Sequence, residues 1–538
     1  MQAIVVMRDV FRALAIGACA GLLGLTGSHA ALAAAEDRFD VLEYVIEGNS
    51  VLPALRIEAA VYPYLGPGRG MADVEAARAA LEQAYHDGGY LTVFVDIPEQ
   101  EVREGVVRLK VTEGRVERLR VTGARHYSLG RIKARVPDLA EEAVPYFPDV
   151  QQQLAALAAA DRRVTPVLRP GRTPGKVEAE LKVADRLPLH GSVEVNDRHS
   201  ANTRRSRLSA NLRYDNLWQR EHSLSLGVQV APADASESTV FSATYVAPLG
   251  RGDYLAAYAV HSESDVATLG DANVVGNGDI LGLRWIRALR ARPGYSHTLT
   301  LGVDYKDFKE SVGLQGADRV NTPIAYLPFS LAYEGTLQEA AGQTRIGATL
   351  GFAVRGLMDD EVECLPGVVM NEFACKRYLA SPNYAWLRLD LRNTRRFAAG
   401  WSLSSRLSAQ VASGPLISNE QFSAGGVDSV RGYKESNSSG DDGWLAGLEL
   451  RTPSLAGRVS AALNELTLYA FVEGASLRVR EALPSQQSRF DLLSAGLGLR
   501  FAGKAGYRGS LDLAHAYKDA GQVQAGDGRL HFALGYEW

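Results

Sequence analysis

The sequence predicts two small α+β domains followed by an all-β, sixteen-stranded antiparallel transmembrane barrel. Three observations carry this expectation. A β-α-α-β-β order of elements occurs twice between residue 36 and about residue 188, period-two alternation of apolar and polar residues dominates from there to residue 538, and the connections within that second part are by turns short and long. The 538 residues include 22% charged residues and a formal net charge of −4, so no whole-chain basic field favours nucleic acid as a partner. After the N-terminal leader, no segment approaches the roughly eighteen consecutive apolar residues of a membrane helix. Strands therefore remain as the means of crossing a bilayer.

The N-terminus carries Arg8 and Arg12, an apolar run from Ala13 to Leu25, and the small-residue stretch Ser28 to Ala35 with A-x-A-like cleavage sites. This pattern predicts a secretory signal peptide over residues 1–35. A lipoprotein site at Ile16-Gly17-Ala18-Cys19 is the alternative, and the apolar sequence that continues past Cys19 argues against it. The mature chain then keeps Cys364 and Cys375, eleven positions apart. In an exported protein they predict a disulfide closing a short loop. A metal site would need further ligands, and no nearby His supplies them.

Val41 to Glu47 alternates as a strand and stops at Gly48-Asn49. Helical spacing follows over Ala54 to Tyr62 and over Met71 to Asp87, where Val74, Ala77, Leu81 and Tyr85 form one stripe ahead of Gly88-Gly89. Strands are expected at Leu91 to Ile97 and Val106 to Thr112, which closes a first domain over residues 36–114. The order repeats over residues 115–188: a strand Val116 to Thr122, helices Leu129 to Arg135 and Pro148 to Ala160, and strands Arg163 to Arg169 and Lys176 to Ala184. Pro98-Glu99-Gln100 with Gly105 to Val111 and Glu113-Gly114 resembles the closing strands of a first POTRA domain, and Leu154 to Val183 resembles the end of a second. Such a domain keeps an open strand edge beside a helix, where an extended peptide can add as an extra strand. The alternative use is as a pair of structural spacers.

From Leu189 the chain offers sixteen alternating segments, from Leu189 to Val195 through to Arg529 to Trp538. The eighth is expected over Ile324 to Tyr333, the twelfth over Leu445 to Arg451 and the thirteenth over Thr467 to Glu473. An even count suits a bacterial outer-membrane barrel over residues 189–538, and no blade-length repeat supports a soluble propeller. If the first strand rises from the periplasm, the inner turns are short and the outer loops long. Thr452 to Leu466 is the exception. Cys364 and Cys375 then fall in the fifth outer loop, and residues 412–443 form the sixth.

That sixth loop contains Gln421 to Trp444, rich in Gly, Ser and Asp around Val430-Arg431-Gly432-Tyr433. The tetrad resembles the VRGY signature of the two-partner secretion outer-membrane transporters, the haemolysin secretion/activation family among the POTRA-bearing barrels. In that family the motif tips a loop folded back into the pore. The resemblance implies a wall partner in the next strand, where Phe471-Val472-Glu473 is similar to the family's Phe-x-Asp-x-Gly and alternation sends Phe471 and Glu473 to the lumen. Here Glu473 replaces the usual Asp and Ala475 the usual Gly, and the extra methylene leaves direct contact and a water bridge both open. Asn196 and Tyr214 to Trp218 resemble the first hairpin of these barrels. Leu530, Phe532, Leu534, Tyr536 and Trp538 alternate to an aromatic end resembling the signal read by barrel-assembly machinery, with Trp in place of the usual Phe. Terminal aromatics equally suit an interfacial girdle.

No Ser/His/Asp order, phosphate-binding Gly loop or metal-ligand cluster stands out, so neither catalysis nor a cofactor is expected. About five residues separate the expected cleavage site from the first strand, which leaves no room for the N-terminal plug helix of some family members. The resemblance implies a monomeric outer-membrane transporter with its POTRA domains in the periplasm. Its partners would be the lipid bilayer, the barrel-assembly machinery during biogenesis, and a secreted client, expected to be a large β-helical exoprotein. An assembly or insertion factor of the same superfamily is the alternative, and a passive porin would lack the POTRA pair.

Overall fold

The structure is a computed structural model and describes residues 38–538 except 202, 236–237, 251, 265, 270–271, 276, 310, 314–318, 359–360 and 366. The expected signal peptide and Cys19 lie outside the described residues. Contacts divide the chain into two units. The first holds residues up to 122 with 132–158 and 164–183, and the second holds 123–131, 159–163 and 184–538.

In the first unit, Glu43–Glu47 runs parallel to Val106–Glu113, which pairs antiparallel with Val93–Asp96. The helix Met71–Asp87 lays Val74, Ala77, Leu81 and Tyr85 against this sheet, and the helix Ala54–Val61 adds Ile57 and Val61. The spacing of these residues places them on one face, which is why the stripe is legible in sequence. The Asp73 side chain accepts the Gly70 N–H at 2.9 Å and closes the helix start. The expected strand from Val41 to Glu47 is instead two pieces, Phe39–Val41 and Glu43–Glu47, and Leu42 between them is 69% exposed. Phe39–Val41 pairs with Gly66–Arg69, a strand that a Gly-Pro-Gly sequence does not announce.

A second α+β set has the sheet order Arg115–Thr122, Lys176–Asp185, Arg162–Pro170. Its helix Phe147–Leu157 starts with Pro148 in the first turn and ends three residues before the expected Ala160, because Ala158 is already extended. The turn between its last two strands is held by Glu117. That carboxylate accepts the N–H groups of Arg172 at 2.8 Å and Thr173 at 3.3 Å. These bonds hold the Glu117 carboxyl below the ordinary glutamate range, with the Thr173 N–H the largest cause.

The second unit is a closed antiparallel barrel of sixteen strands, each bonded to its sequence neighbours, the last to the first. The strands include Leu189–Asn196 (first), Tyr384–Arg396 (tenth), Ser402–Ala412 (eleventh), Asp442–Arg451 (twelfth), Leu463–Arg478 (thirteenth), Arg489–Gly503 (fourteenth), Tyr507–Ala516 (fifteenth) and Gly528–Glu537 (sixteenth). Leu448, Leu450, Leu468, Val472, Leu511 and Leu513 point outward and are exposed, whereas the residues between them, such as Glu449, Tyr469, Phe471 and Asp512, are buried. An apolar outside and a polar inside are what a bilayer-embedded barrel requires.

Three expectations need correction. The eighth strand is broken into Ile324–Tyr326 and Phe329–Glu339 around Leu327-Pro328, both pieces pairing with the seventh strand, Tyr295–Phe308. Proline cannot donate to the ladder, hence the break. The long inner turn from Thr452 to Leu466 shrinks to residues 452–462 and contains the short helix Ala456–Val459. The twelfth strand begins at Asp442, so the sixth outer loop is residues 413–441 and Trp444 belongs to the wall. In the last two cases hydrogen-bonded pairing starts before the alternating stretch does, where alternation of hydrophobicity no longer marks it.

Candidate functional site

The sixth outer loop does not project outward from the barrel. A two-stranded ribbon, Phe422–Ala424 with Ser438–Gly440, carries it inward, and its tip packs among the inward-facing residues of strands twelve to sixteen. Val430 and Tyr433 are wholly buried and Arg431 is 4% exposed. Gly432 has φ +92°, and a Cβ there would sit 3.4 Å from the Ala514 Cβ and 3.5 Å from the Ser494 Cβ. Glycine fits because the backbone takes the left-handed region against the wall.

Arg431 meets three carboxylates. Its Nε and Nη2 donate to Glu473 Oε1 at 3.1 and 2.6 Å, its Nη1 donates to Asp512 Oδ1 at 2.7 Å, and Nη2 lies 2.9 Å from Glu449 Oε2. Its backbone N–H donates to Glu473 Oε2 at 2.8 Å, so Glu473 holds the main chain and the side chain together. The guanidinium carbon stands 3.5 Å from the centre of the Phe471 ring, a cation–π contact closed to water. Three further arginines balance the acids: Arg406 donates to Glu473 at 2.6 Å, Arg451 to Glu449 at 2.6 Å and Arg500 to Glu449 at 3.0 Å. Arg406 also donates to the Asp428 carbonyl at 2.5 Å and to the Ser429 carbonyl. The acid at 473 therefore reaches Arg431 directly, and the longer side chain needs no bridge.

Tyr433 fixes the other side of the tip. Its hydroxyl donates toward the carbonyls of Lys518 at 2.8 Å and Leu493 at 3.2 Å. The base of the loop is fastened to other parts of the wall. Glu420 is buried and accepts from Lys306 Nζ at 2.7 Å, the Tyr326 hydroxyl at 2.7 Å and Trp386 Nε1 at 3.0 Å. Asp441 accepts from Arg377 Nη2 at 2.7 Å and from the N–H groups of Leu416 and Arg480 at 2.8 and 2.7 Å.

Arg377 comes from the fifth outer loop, directly after the short helix Glu372–Lys376. There Cys364 and Cys375 form a disulfide, joining that helix to the hairpin Glu361–Leu365 and Val368–Asn371. At the C-terminus, the Tyr536 and Trp538 rings stack with centres 5.8 Å apart, and Trp538 exchanges backbone hydrogen bonds with Gly191 at 3.1 and 3.2 Å. Phe532 is half-buried on the same strand. Sequence reasoning missed Glu449, Asp512 and Arg406. The two acids did carry a signal, since each lies between two outward leucines and so faces the lumen.

Residues 175–501 match the family described as haemolysin secretion/activation protein ShlB/FhaC/HecB, and residues 39–114 match the POTRA domain of ShlB type. The chain belongs to this haemolysin secretion/activation family. A relative, the outer membrane transporter CdiB of Escherichia coli O6:K15:H31 (strain 536 / UPEC), is 25% identical over 422 residues, covering 75% of this chain and 67% of that protein. Among solved structures, CdiB from Escherichia coli matches with a TM-score of 0.61 at 19% identity, covering 96% of this chain and 93% of that one. BamA from Haemophilus ducreyi lacking POTRA domains 1-3 matches with a TM-score of 0.55 at 13% identity, covering 93% and 100%. At these identities the two structural likenesses speak for the fold alone. As a family member the protein is an outer-membrane transporter of the two-partner secretion type, with its POTRA domain in the periplasm.

Proposed function

We propose that this transporter captures one unfolded, exported client in the periplasm and passes it through the barrel, with the sixth loop as the element that closes the pore. The single observation behind this reading is the seating of Arg431, buried among Glu473, Glu449 and Asp512 with its backbone N–H on the same Glu473. A solvated loop has no need of so many desolvated charges, and a buried ion cluster survives only where its geometry is complete. A client entering the lumen would have to displace the tip.

Capture falls to the first POTRA domain and to the second α+β set, which we take as another POTRA-like domain. In the first, the outer edge of Val93–Asp96 is covered: Glu82 accepts the Val95 N–H at 3.1 Å and Arg78 donates to the Val95 carbonyl at 3.1 Å. The opposite edge strand is Glu43–Glu47, and strand addition there suits an extended client. The client is a large β-helical exoprotein of haemolysin or adhesin type, the barrel is a monomer assembled by the barrel-assembly machinery, and the protein performs no catalysis. The test is export. The chain is expressed in an outer-membrane host with the exoprotein encoded beside it, and the exoprotein is expected in the medium or at the cell surface. Retention of the exoprotein, together with rescue of a host defective in outer-membrane protein insertion, would replace transport by an insertion role.

A further inference from the structure

Beside Gly432 the loop tip meets a residue that neither the VRGY motif nor the wall motif includes. His531 lies in the sixteenth strand and is 3% exposed. Its Nε2 is 3.1 Å from the Gly432 nitrogen, and its Nδ1 is 3.1 Å from Asp197 Oδ2. A backbone N–H can only donate, so Nε2 accepts and the ring proton sits on Nδ1, where it donates to Asp197. The other Asp197 oxygen accepts the Phe532 N–H at 3.0 Å, and the Asp197 N–H donates to the Phe532 carbonyl at 3.2 Å.

Asp197 follows directly on the first strand, and this contact sits at the end of the ladder that closes the barrel. That ladder holds five residue pairs, from Ala533 with Asn196 to Glu537 with Ser192, whereas the others hold eight or more. The same stretch after the first strand makes more bonds to the loop. Arg198 pairs with Asp428, the His199 carbonyl accepts the Glu435 N–H at 3.0 Å, and the Ala201 carbonyl accepts from Lys434 Nζ at 3.0 Å. The loop tip is thus fastened to strands twelve to fifteen through Arg431 and Tyr433, and to the closing seam through His531 and the stretch Arg198 to Ala201.

We propose that His531 is a positioning residue that couples the seating of the loop tip to closure of the barrel between its first and last strands. This rests on the reading of the loop as the pore's plug. Because both ring nitrogens are engaged, drawing the first strand away from the sixteenth takes Asp197 from Nδ1 and frees the ring that holds Gly432.

The test is single-channel recording of the purified full-length protein in planar bilayers for wild type, His531→Gln and His531→Leu. A Gln amide can accept from Gly432 and donate to Asp197. His531→Gln is expected to stay as closed as wild type, and His531→Leu to open roughly tenfold more often for want of one buried hydrogen bond. A His531→Leu protein as closed as wild type overturns the coupling, as does any other behaviour of His531→Gln. If His531→Leu does not assemble, His531→Gln decides alone. A companion variant with residues 425–437 replaced by a short Gly-Ser linker separates the two ideas. Steady conductance there with His531 variants like wild type removes only the coupling, and wild-type behaviour there removes the plug.

Discussion

At the scale of single residues, the site is a buried charge cluster in which four arginines face three acids. Removing Glu473 leaves the buried Arg431 and Arg406 short of a carboxylate, at a cost of about 3–5 kcal/mol. Glu473→Gln is therefore expected to shift the seated-to-unseated ratio of the loop by roughly two to four powers of ten, read as open probability in bilayers. A variant no leakier than wild type would mean that Glu473 merely keeps the lumen polar. Gly432→Val forces a branched side chain into a left-handed backbone against Ala514 and Ser494. It should unseat the tip while the barrel still shows heat-modifiable migration on gels, since no wall residue changes. The motif residues could be read from sequence because they are local. Asp512, eighty-one positions after Arg431, shows its lumen face between Leu511 and Leu513, but its contact with the tip, like that of His531, follows from the curvature of the barrel, which no window of sequence contains.

At the scale of elements, the fifth loop braces the sixth. The Cys364–Cys375 disulfide closes a short loop, and by chain entropy alone such a closure stabilises by about 3 kcal/mol. Arg377 lies two residues beyond it and reaches Asp441 and the Arg480 carbonyl at 2.9 Å. Cys364→Ser with Cys375→Ser should speed protease cleavage between residues 354 and 383, and equal cleavage with and without the disulfide would show that hairpin pairing alone orders the loop. In the periplasmic part, the depressed Glu117 carboxyl makes a signed expectation. Its contribution is full above the ordinary glutamate range and is lost as pH falls through its lower folded value. Amide exchange at Arg172 and Thr173 should accelerate over that acidic window in wild type and be fast throughout in Glu117→Gln. Exchange that is flat with pH in wild type would remove Glu117 from the turn. Helix Met71–Asp87 and most barrel strands were legible in the sequence, since periodicity reports which face meets a core or a bilayer. The ribbon strand Gly66–Arg69, the break at Leu327-Pro328 and the helix Ala456–Val459 were not, because backbone pairing and chain breaks there carry no apolar pattern.

At the scale of the whole molecule, the barrel is closed by its shortest ladder, and one inward loop touches both that seam and the wall strands beside it. Alternation and loop lengths announced the barrel, and strand order alone placed the VRGY tetrad in the sixth outer loop. The fold of the loop inward depends on carboxylates from three separate strands and was reached only through resemblance. In the proposed function this loop closes the pore. This is tested most directly by single-channel conductance of wild type against the protein with residues 425–437 replaced by a short Gly-Ser linker, which leaves the ribbon Phe422–Ala424 with Ser438–Gly440 and every wall strand in place. A mostly closed wild type and a large, steady conductance in the variant are expected. Equal conductance of the two would contradict the account.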